Sequence, residues 1–472
     1  MPATSSETGP LDSPAGDTPK PRRVSLKRDA FWTALDTLVS AGLAFLFRLV
    51  VARVLAPHEF GIAALVLALV AIFQVVNEFG LTSALIAAPL AAIFYGEPSI
   101  RLLVAASALS FLPTPFTTVS SALLYRERRY RVVAVNRVVS TLLSLVFAGA
   151  LLLWQPSAWV VIGQVISQLI FSAIGLVLVV RWRFRLTLHR EHLKEVFGFS
   201  AYILMNDLVV SFGTNAGVFI LGRLVSAPQV GMFGLATYLT DTVRKSLMSI
   251  LNRVTFVHYS SIQNDNAKLR QAYLTTLMWN CRAIFPVMVT IMLFGPSLLI
   301  HFLGQQWEPM GPVIRWLSLS VMIHASGGTN STLYKGIGRP RLDMLLFMAT
   351  TFLILIPGMI AGALIAGLTG VAVATAVTRL ISIVIRQVLL DRIIGGTAGP
   401  VLRVVGYLLL LQAPIVIAWL VGLLWPHGWI TDVALASAGL AIYGFIEIPR
   451  AFPQLAGRLG LGRSSADRNV KR

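Results

Sequence analysis

The residues of this chain most suited to chemistry are charged side chains inside long apolar segments. Arg48 lies late in the first such segment, and an arginine keeps its positive charge at any physiological pH. A charge inside a membrane-length apolar segment is costly, which makes it a functional candidate. Two interpretations stay open for Arg48: contact with an anionic ligand, or extension of the side chain to a nearby interface beside Arg53.

Two further groups of polar residues lie in the middle of predicted helices. Asp207 and Asn215 are about two turns apart. Asp207 is suited to pairing with Arg48 or to binding a coupling ion, although the sequence favours a structural contact between helices. Asp241 is followed by Arg244 and Lys245 at the spacings that let helical charges neutralise one another. Structural pairing and contact with a ligand are both compatible with that spacing.

Three more arginines lie in apolar segments. Arg282 comes four residues before Pro286, where the missing backbone donor predicts a kink. Arg379 and Arg386 are seven residues apart and so lie on one helix face as a basic track, unless Arg386 simply extends to the cytoplasm. The candidate ligand-binding residues are Arg48, Asp207, Asn215, Arg244, Lys245, Arg282 and Arg379.

Other kinds of site are not indicated. The sequence has no Walker A motif, so we expect no ATPase site. Its seven histidines include no HExxH pair, and its one cysteine, Cys281, excludes an internal disulfide and a cysteine metal cluster. We therefore expect no catalytic residue, no metal and no cofactor.

The composition is that of a helical membrane protein. Of the 472 residues, 56% are hydrophobic and 12% are charged, against roughly 25% charged residues in soluble domains. Many runs reach the roughly 20 apolar residues that span a bilayer, and their continuity predicts helices and not a barrel. The formal charge of +19 lies mostly in short loops beside these runs, which argues against nucleic acid as a partner.

The charge pattern predicts the topology. The predicted helices cover 30–54, a segment from 60 onward, 100–124, 132–153, 158–180, 197–222, 229–257, 272–303, 309–334, 342–366, 369–390, 402–424 and 429–447. Basic clusters alternate with short, nearly uncharged loops, so the positive-inside rule places both termini and the basic loops in the cytoplasm. Trp307, in an external loop, suits the membrane–water boundary. Residues 1–28 show no cleavable signal and are predicted to be a disordered tail.

The region from 57 to 131 raises a problem of parity. The loop at 57–59 is external and the basic loop at 126–131 is internal, so an odd number of crossings must separate them. Only two full-length segments are obvious there, with the short run 87–94 between them. We expect that run to belong to a shortened third helix that crosses.

A weak internal repeat divides the chain. Arg53 and Gly61 enclose Pro57, and Arg223 and Gly231 enclose Pro228 at the same spacing. These matches predict two parallel halves. The expected domains are a cytoplasmic tail 1–28, an N-terminal lobe 29–195, a C-terminal lobe 196–394, a terminal helix pair 395–449 and a basic tail 450–472.

At these residues the chain resembles the Wzx-type polysaccharide transporters of the multidrug/oligosaccharidyl-lipid/polysaccharide (MOP) exporter superfamily. The resemblance lies in ARVLAPHEFGIAALVLALVAIFQVVNEFGLTSALI (52–86), LYRERRYR (124–131), FLGQQWEPMGPVIRWLSL (302–319) and KGIGRPR (335–341). It covers about residues 30–390. The chain departs from the family pattern where a loop and a full third helix are missing before AAIFYGEP (91–98).

The resemblance implies an all-α polytopic membrane protein with two six-helix lobes and a C-terminal helix pair, 13–14 transmembrane helices in all. It implies translocation of undecaprenyl-pyrophosphate-linked oligosaccharides across the bacterial inner membrane by alternating access. The expected partners are this lipid-linked oligosaccharide, membrane lipids, and a polysaccharide polymerase or chain-length protein. A cation-coupled drug exporter, for which Asp36 is the acidic candidate in helix 1, and an inactive truncated member stay as alternatives. A polymerase or ligase is disfavoured because every external loop is short.

Overall fold

The computed structural model describes residues 26–75, 80–180, 190–424 and 428–451, and these residues are almost entirely helical. The helices are α1 (Leu26–Val54), α2 (Pro57–Val75), α3 (Gly80–Tyr95), α4 (Ser99–Ser107), α5 (Thr114–Arg126), α6 (Tyr130–Trp154), α7 (Ala158–Val180), α8 (Arg190–Leu224), α9 (Ala227–Ser261), α10 (Asn266–Leu303), α11 (Met310–Ala325), α12 (Thr329–Gly336), α13 (Pro340–Thr350), α14 (Ile356–Ile394), α15 (Ala398–Leu410), α16 (Ala413–Leu424) and α17 (Trp429–Ala451).

We assign fourteen membrane crossings to the helices of the described residues. Ten segments are long and apolar enough to span a bilayer. One of them, Pro340–Ile394, supplies two crossings because non-helical backbone at Ala366 and Gly367 divides α14. Gly367 has a φ of 54°, which favours glycine. The remaining crossings are α3, α9 and the α11–α12 pair, so the predicted polytopic helical architecture is confirmed.

The shortened third helix is present as α3. It has 16 residues, or about 24 Å at 1.5 Å per residue, somewhat less than the hydrocarbon thickness. It nevertheless crosses, because Glu97, just after its end, meets His58 at the start of α2 with 3.3 Å between Oε1 and Nε2. Residues 57–75 and 80–95 therefore run in opposite directions, as the parity of the loops requires.

The loops predicted to be external meet at one end of the bundle, which we call the outer end. There the Glu59 carboxylate accepts a hydrogen bond from the Ala158 backbone N–H at 2.7 Å. The rings of His301 and Trp429 stack with their centroids 4.6 Å apart. The first contact joins the starts of α2 and α7, and the second joins the end of α10 to the start of α17. Arg53, at the end of α1, donates hydrogen bonds to the last carbonyl oxygens of α10 and so brings the two pairs to one end of the bundle, as the alternation of basic and uncharged loops predicted.

Two groups of helices surround the core. In the first half, α1 packs on α6, and α7 packs on α5 and α6; in the second, α11 packs on α9, α10 and α14. The terminal pair packs on α10, where the Tyr443 hydroxyl donates to the Arg282 carbonyl oxygen at 3.1 Å. The predicted lobe boundary at 195/196 falls inside α8, and the exact domain limits stay a prediction.

Candidate functional site

Helices of the two halves meet tightly at the outer end. Trp307 is completely buried, and its Nε1 donates to the Ala52 carbonyl oxygen at 2.9 Å. Arg53 Nη1 donates to the carbonyl oxygens of His301 and Phe302 at 3.3 and 3.2 Å, the free acceptors at the end of α10. Trp307 therefore lies at the outer end, as predicted, but it does not contact water at the membrane surface. Its indole instead links the two halves inside the bundle.

Two repeat-related glycines form the closest part of this contact. A Cβ placed on Gly61 would lie 2.7 Å from the Ala227 carbonyl carbon, and one placed on Gly231 would lie 2.7 Å from the Gly61 nitrogen. Small residues let helix backbones approach this closely in a membrane, where packing and not the hydrophobic effect drives association. We call the contact the outer seam; it comprises Ala52, Arg53, Phe60, Gly61, Ala227, Gly231, His301, Phe302 and Trp307.

Arg48 lies just inward of the outer seam. Its guanidinium carbon is 4.9 Å from the ring centroid of Tyr238 on α9, within the range of a cation–π contact. Phe45, on the preceding turn of α1, stacks on the same ring at 6.5 Å. The Arg48 charge thus lies against an aromatic ring of the other half, and this geometry favours the internal interpretation over extension to the interface.

A cluster of charges follows Tyr238 on the same face of α9. Asp241 and Lys245 are three and seven residues beyond Tyr238, and such residues share one helix face. The Asp241 carboxylate, buried at 6% exposure, is 2.9 Å from Arg244 Nε and 3.9 Å from Lys245 Nζ. Arg379 Nη2, from the second part of α14, approaches the same carboxylate at 3.8 Å. We call these four residues the Asp241 cluster.

The Asp241 cluster has more positive than negative charge. One carboxylate faces three cations, so the cluster carries two excess positive charges. The side chain of Lys245 is 61% exposed, which leaves its ammonium accessible. Taken with Arg48, the arrangement is a set of cations on facing helices, inward of a closed seam, with the capacity to bind an anion.

The other candidates lie elsewhere. Arg282 pairs with the buried Glu447 of α17 at 2.8 Å, on the side of α10 that faces the terminal pair. Asp207 is exposed on α8, and Asn215 donates to the Ser211 carbonyl oxygen of its own helix at 2.8 Å. The structure therefore gathers Arg244, Lys245 and Arg379 below Arg48, while the roles of Arg282, Asp207 and Asn215 stay predictions.

Several partners were not found from the sequence. Arg386 is buried and pairs with Asp343 in the first turn of α13, so its charge ends inside the bundle beside Lys335 of the basic loop. Asp36 is also buried, 3.0 Å from Arg137 of α6. Arg137 lies in the apolar run VVAVNRVV, and a charge in such a run indicates a functional or paired residue. The sequence gives no comparable signal for Tyr238 and Glu447, because a single tyrosine in a helix and a glutamate near a helix end are both common.

Among residues 26–75, 80–180, 190–424 and 428–451, no group of three His, Cys, Asp or Glu side chains could hold a metal ion. Two shallow cavities of about 330 and 320 Å³ share His58 at the outer end, away from the Asp241 cluster. The cation set between the halves is therefore the site that the geometry supports.

Comparison with known proteins agrees with this architecture. A family model described as "Polysaccharide biosynthesis protein" matches residues 85–312, and a second model of the same description matches residues 26–88. The lipopolysaccharide biosynthesis protein WzxC of Escherichia coli (strain K12) is 21% identical over 411 residues, covering 78% of this chain and 81% of that protein. The succinoglycan biosynthesis transport protein ExoT of Rhizobium meliloti (strain 1021) is 24% identical over 400 residues, covering 76% and 80%.

A solved structure of the lipid II flippase MurJ in an inward closed conformation has the same fold. It superposes with a TM-score of 0.62 at 14% identity, covering 90% of this chain and 98% of that one. At this identity the likeness concerns the fold.

Proposed function

We propose that this chain, a member of the Wzx-type polysaccharide transporters of the MOP exporter superfamily, translocates lipid-linked oligosaccharides across the membrane. The family resemblance in the sequence is confirmed by the two family models and by the transport and biosynthesis proteins that the chain resembles. MurJ, which shares the fold, is a lipid II flippase. The proposed cargo is an undecaprenyl-pyrophosphate-linked repeat unit.

The observation that carries the proposal is the position of the unbalanced cations. A diphosphate needs several cationic donors, and moving it through hydrocarbon without them is prohibitively costly. Arg244, Lys245 and Arg379 are held near one carboxylate, and Arg48 lies on the facing helix of the other half. We propose that these four residues bind the diphosphate while the lipid tail stays in the bilayer.

The closed outer seam supports alternating access as the mechanism. Arg53, Trp307 and the glycine pair hold the two halves together at the outer end. In the proposed cycle the head group binds from the cytoplasmic side, the outer seam then opens, and the head group leaves outward. We place the protein in the bacterial inner membrane with both termini in the cytoplasm, as the basic loops indicate.

The alternatives have less support. A drug exporter would use Asp36 for a proton or cation, but this carboxylate is bound by Arg137 at 3.0 Å. The third helix crosses despite its short length, so the first half keeps six crossings and is not a visibly incomplete remnant. We propose a transporter and not an enzyme; the polymerase or chain-length partner stays a prediction.

The proposal is tested in a strain that lacks the protein. Loss should leave lipid-linked repeat units on the cytoplasmic leaflet, measured by the accessibility of the glycan to enzymes on either side. The wild-type gene should restore export, and Lys245→Gln should restore it poorly because this exposed cation is lost. As a control, Lys268→Gln replaces an exposed lysine in the first turn of α10, away from the cluster. Normal translocation in the deletion strain would reject the proposed function.

A further inference from the structure

The acidic residues buried in the bundle do not all have the same surroundings. Asp36 lies 3.0 Å from Arg137, and Glu447 lies 2.8 Å from Arg282. Each of these carboxylates thus has a close arginine partner on another helix, as expected for structural pairs in a membrane. Asp343 is similar: it pairs with Arg386, and Lys335 lies at the edge of range, 4.0 Å away.

Asp241 differs because three cations share its carboxylate. Arg244 is its close partner at 2.9 Å, while Lys245 and Arg379 stand at 3.9 and 3.8 Å. One carboxylate has two oxygens and a single charge, so it cannot fully neutralise three cations. Two positive charges therefore stay unbalanced, and an anion that contacts all three cations must displace the carboxylate. The carboxylate also occupies the position where an incoming anion would have to contact all three.

We infer that Asp241 is a built-in competitor that determines which anionic head groups the site accepts. This inference rests on the proposed function and names the residue that sets its selectivity. A ligand must take the three cations away from Asp241 before it can bind. A diphosphate offers two phosphoryl groups and can contact Arg244, Lys245 and Arg379 together, whereas a monophosphate offers one.

Competition of this kind gives selectivity as well as release. The carboxylate lowers the affinity for every anion, and only a ligand that replaces its contacts with all three cations regains the energy lost; a diphosphate can contact all three, whereas a monophosphate cannot. It also provides a partner to which the cations return when the head group leaves. The site therefore rejects the single phosphate of a carrier lipid and does not hold the diphosphate permanently.

The test compares two probes on the purified full-length protein in detergent micelles: undecaprenyl diphosphate and undecaprenyl monophosphate. The wild type should bind the diphosphate at least tenfold more tightly. Asp241→Asn should tighten the binding of both probes and reduce that preference to threefold or less, because the amide has no charge with which to compete. Asp241→Glu keeps the charge and should retain the preference.

A matched control separates competition from a general loss of a buried acid. Asp343→Asn removes a buried carboxylate that also faces an arginine and a lysine, but in a pair between α13 and α14. It should lower thermal stability and leave the ratio of the two affinities unchanged. If Asp343→Asn changes the ratio as Asp241→Asn does, the assignment to Asp241 is wrong.

A second comparison covers the case in which Asp241→Asn does not fold. Lys245→Gln removes an exposed cation, and adding Asp241→Asn to it restores the wild-type net charge of the cluster. In this background the loss of Asp241 should raise monophosphate affinity more than diphosphate affinity. Equal increases, or none, would overturn the inference.

The outcomes also distinguish this inference from the proposed function. If Asp241 variants keep the wild-type preference while Lys245→Gln weakens diphosphate binding, the site stands and the competitor role is wrong. If the wild type binds neither probe, the proposed function itself loses its support, whatever the Asp241 variants do.

Discussion

The outer seam allows a sharp test at Gly61. In Gly61→Ala the new Cβ would lie 2.7 Å from the Ala227 carbonyl carbon, whereas ordinary contacts begin at about 3.4 Å. The obstacle is backbone and cannot rotate away, and the Ala227 carbonyl oxygen lies closer still, so α2 and α9 must move apart by more than about 0.7 Å. Overpacking of this size costs about 1–3 kcal/mol.

The cost falls only on the state in which the outer seam is closed. It should therefore shift the equilibrium toward the outward-open state by about 5- to 150-fold, since each 1.4 kcal/mol is a factor of ten. Gly231→Ala should act in the same direction, because its Cβ would lie 2.7 Å from the Gly61 nitrogen.

Cysteine labelling can measure this shift. The only native cysteine, Cys281, is buried and is replaced by serine. Ala64→Cys then places a thiol on α2, one turn inward of Gly61 and facing Gly234 of α9. A membrane-impermeant maleimide added from outside should label this cysteine slowly in the parent protein and much faster with Gly61→Ala.

Gly149→Ala is the matched control. Gly149 lies within α6, and a Cβ placed there has no atom within 4 Å. When Gly149→Ala is added to the Ala64→Cys protein, the rate of labelling at position 64 should equal the rate without Gly149→Ala. If Gly61→Ala also labels at the parent rate while remaining folded, the outer seam is not the barrier that closes the outside, and the reasoning from the glycine contact fails.

Three further predictions concern named contacts. Arg48→Ala should reduce transport per folded molecule more than Arg386→Ala, which should instead reduce the amount of folded protein by removing the close partner of the buried Asp343. Equal transport defects in an export assay would contradict the ranking. Glu447→Gln should destabilise the protein by about 3–5 kcal/mol in thermal unfolding, because Arg282 keeps a buried charge, whereas replacing both residues by leucine should recover most of the loss. Trp307→Phe should lose the hydrogen bond to Ala52, worth about 0.5–1.5 kcal/mol, and raise outside labelling at Ala64→Cys.

Much of the fold follows from the sequence because a bilayer leaves few choices. Apolar length predicts the crossings, and the alternation of basic and uncharged loops predicts their direction. The opposite sides predicted for the loops at 57–59 and 126–131 required an odd number of crossings between them, although only two full-length apolar segments were obvious there. The short helix α3 supplies the third crossing. The ends of α4–α5 and α11–α12 could not be predicted, since short breaks at residues such as Pro113 depend on packing against neighbours.

The candidate site was only half predictable. Asp241, Arg244 and Lys245 are neighbours on one helix, so their spacing in the sequence revealed the cluster. Arg379 reaches the same carboxylate from α14, and Glu447 reaches Arg282 from α17. Such contacts depend on how distant helices pack. A single sequence shows that a charge needs a partner but does not say which one.

The internal repeat builds a symmetric seam but an asymmetric site. Gly61 and Gly231 are equivalent by repeat and contact each other. The same alignment pairs Asp241 with Ala71, Arg244 with Gln74 and Lys245 with Val75, and these α2 residues carry no charge. Both halves thus share in closing the outer end, whereas the cations belong mainly to the second half.

This asymmetry has a consequence for release. In the proposed cycle, opening of the outer seam would carry Arg48 away from Tyr238 with the first half, whereas Asp241, Arg244, Lys245 and Arg379 would stay together in the second half. Separation of the halves therefore removes only one of the four cations from a bound diphosphate. The other three release it only if a competing anion takes its place, and the carboxylate already positioned between them is that of Asp241.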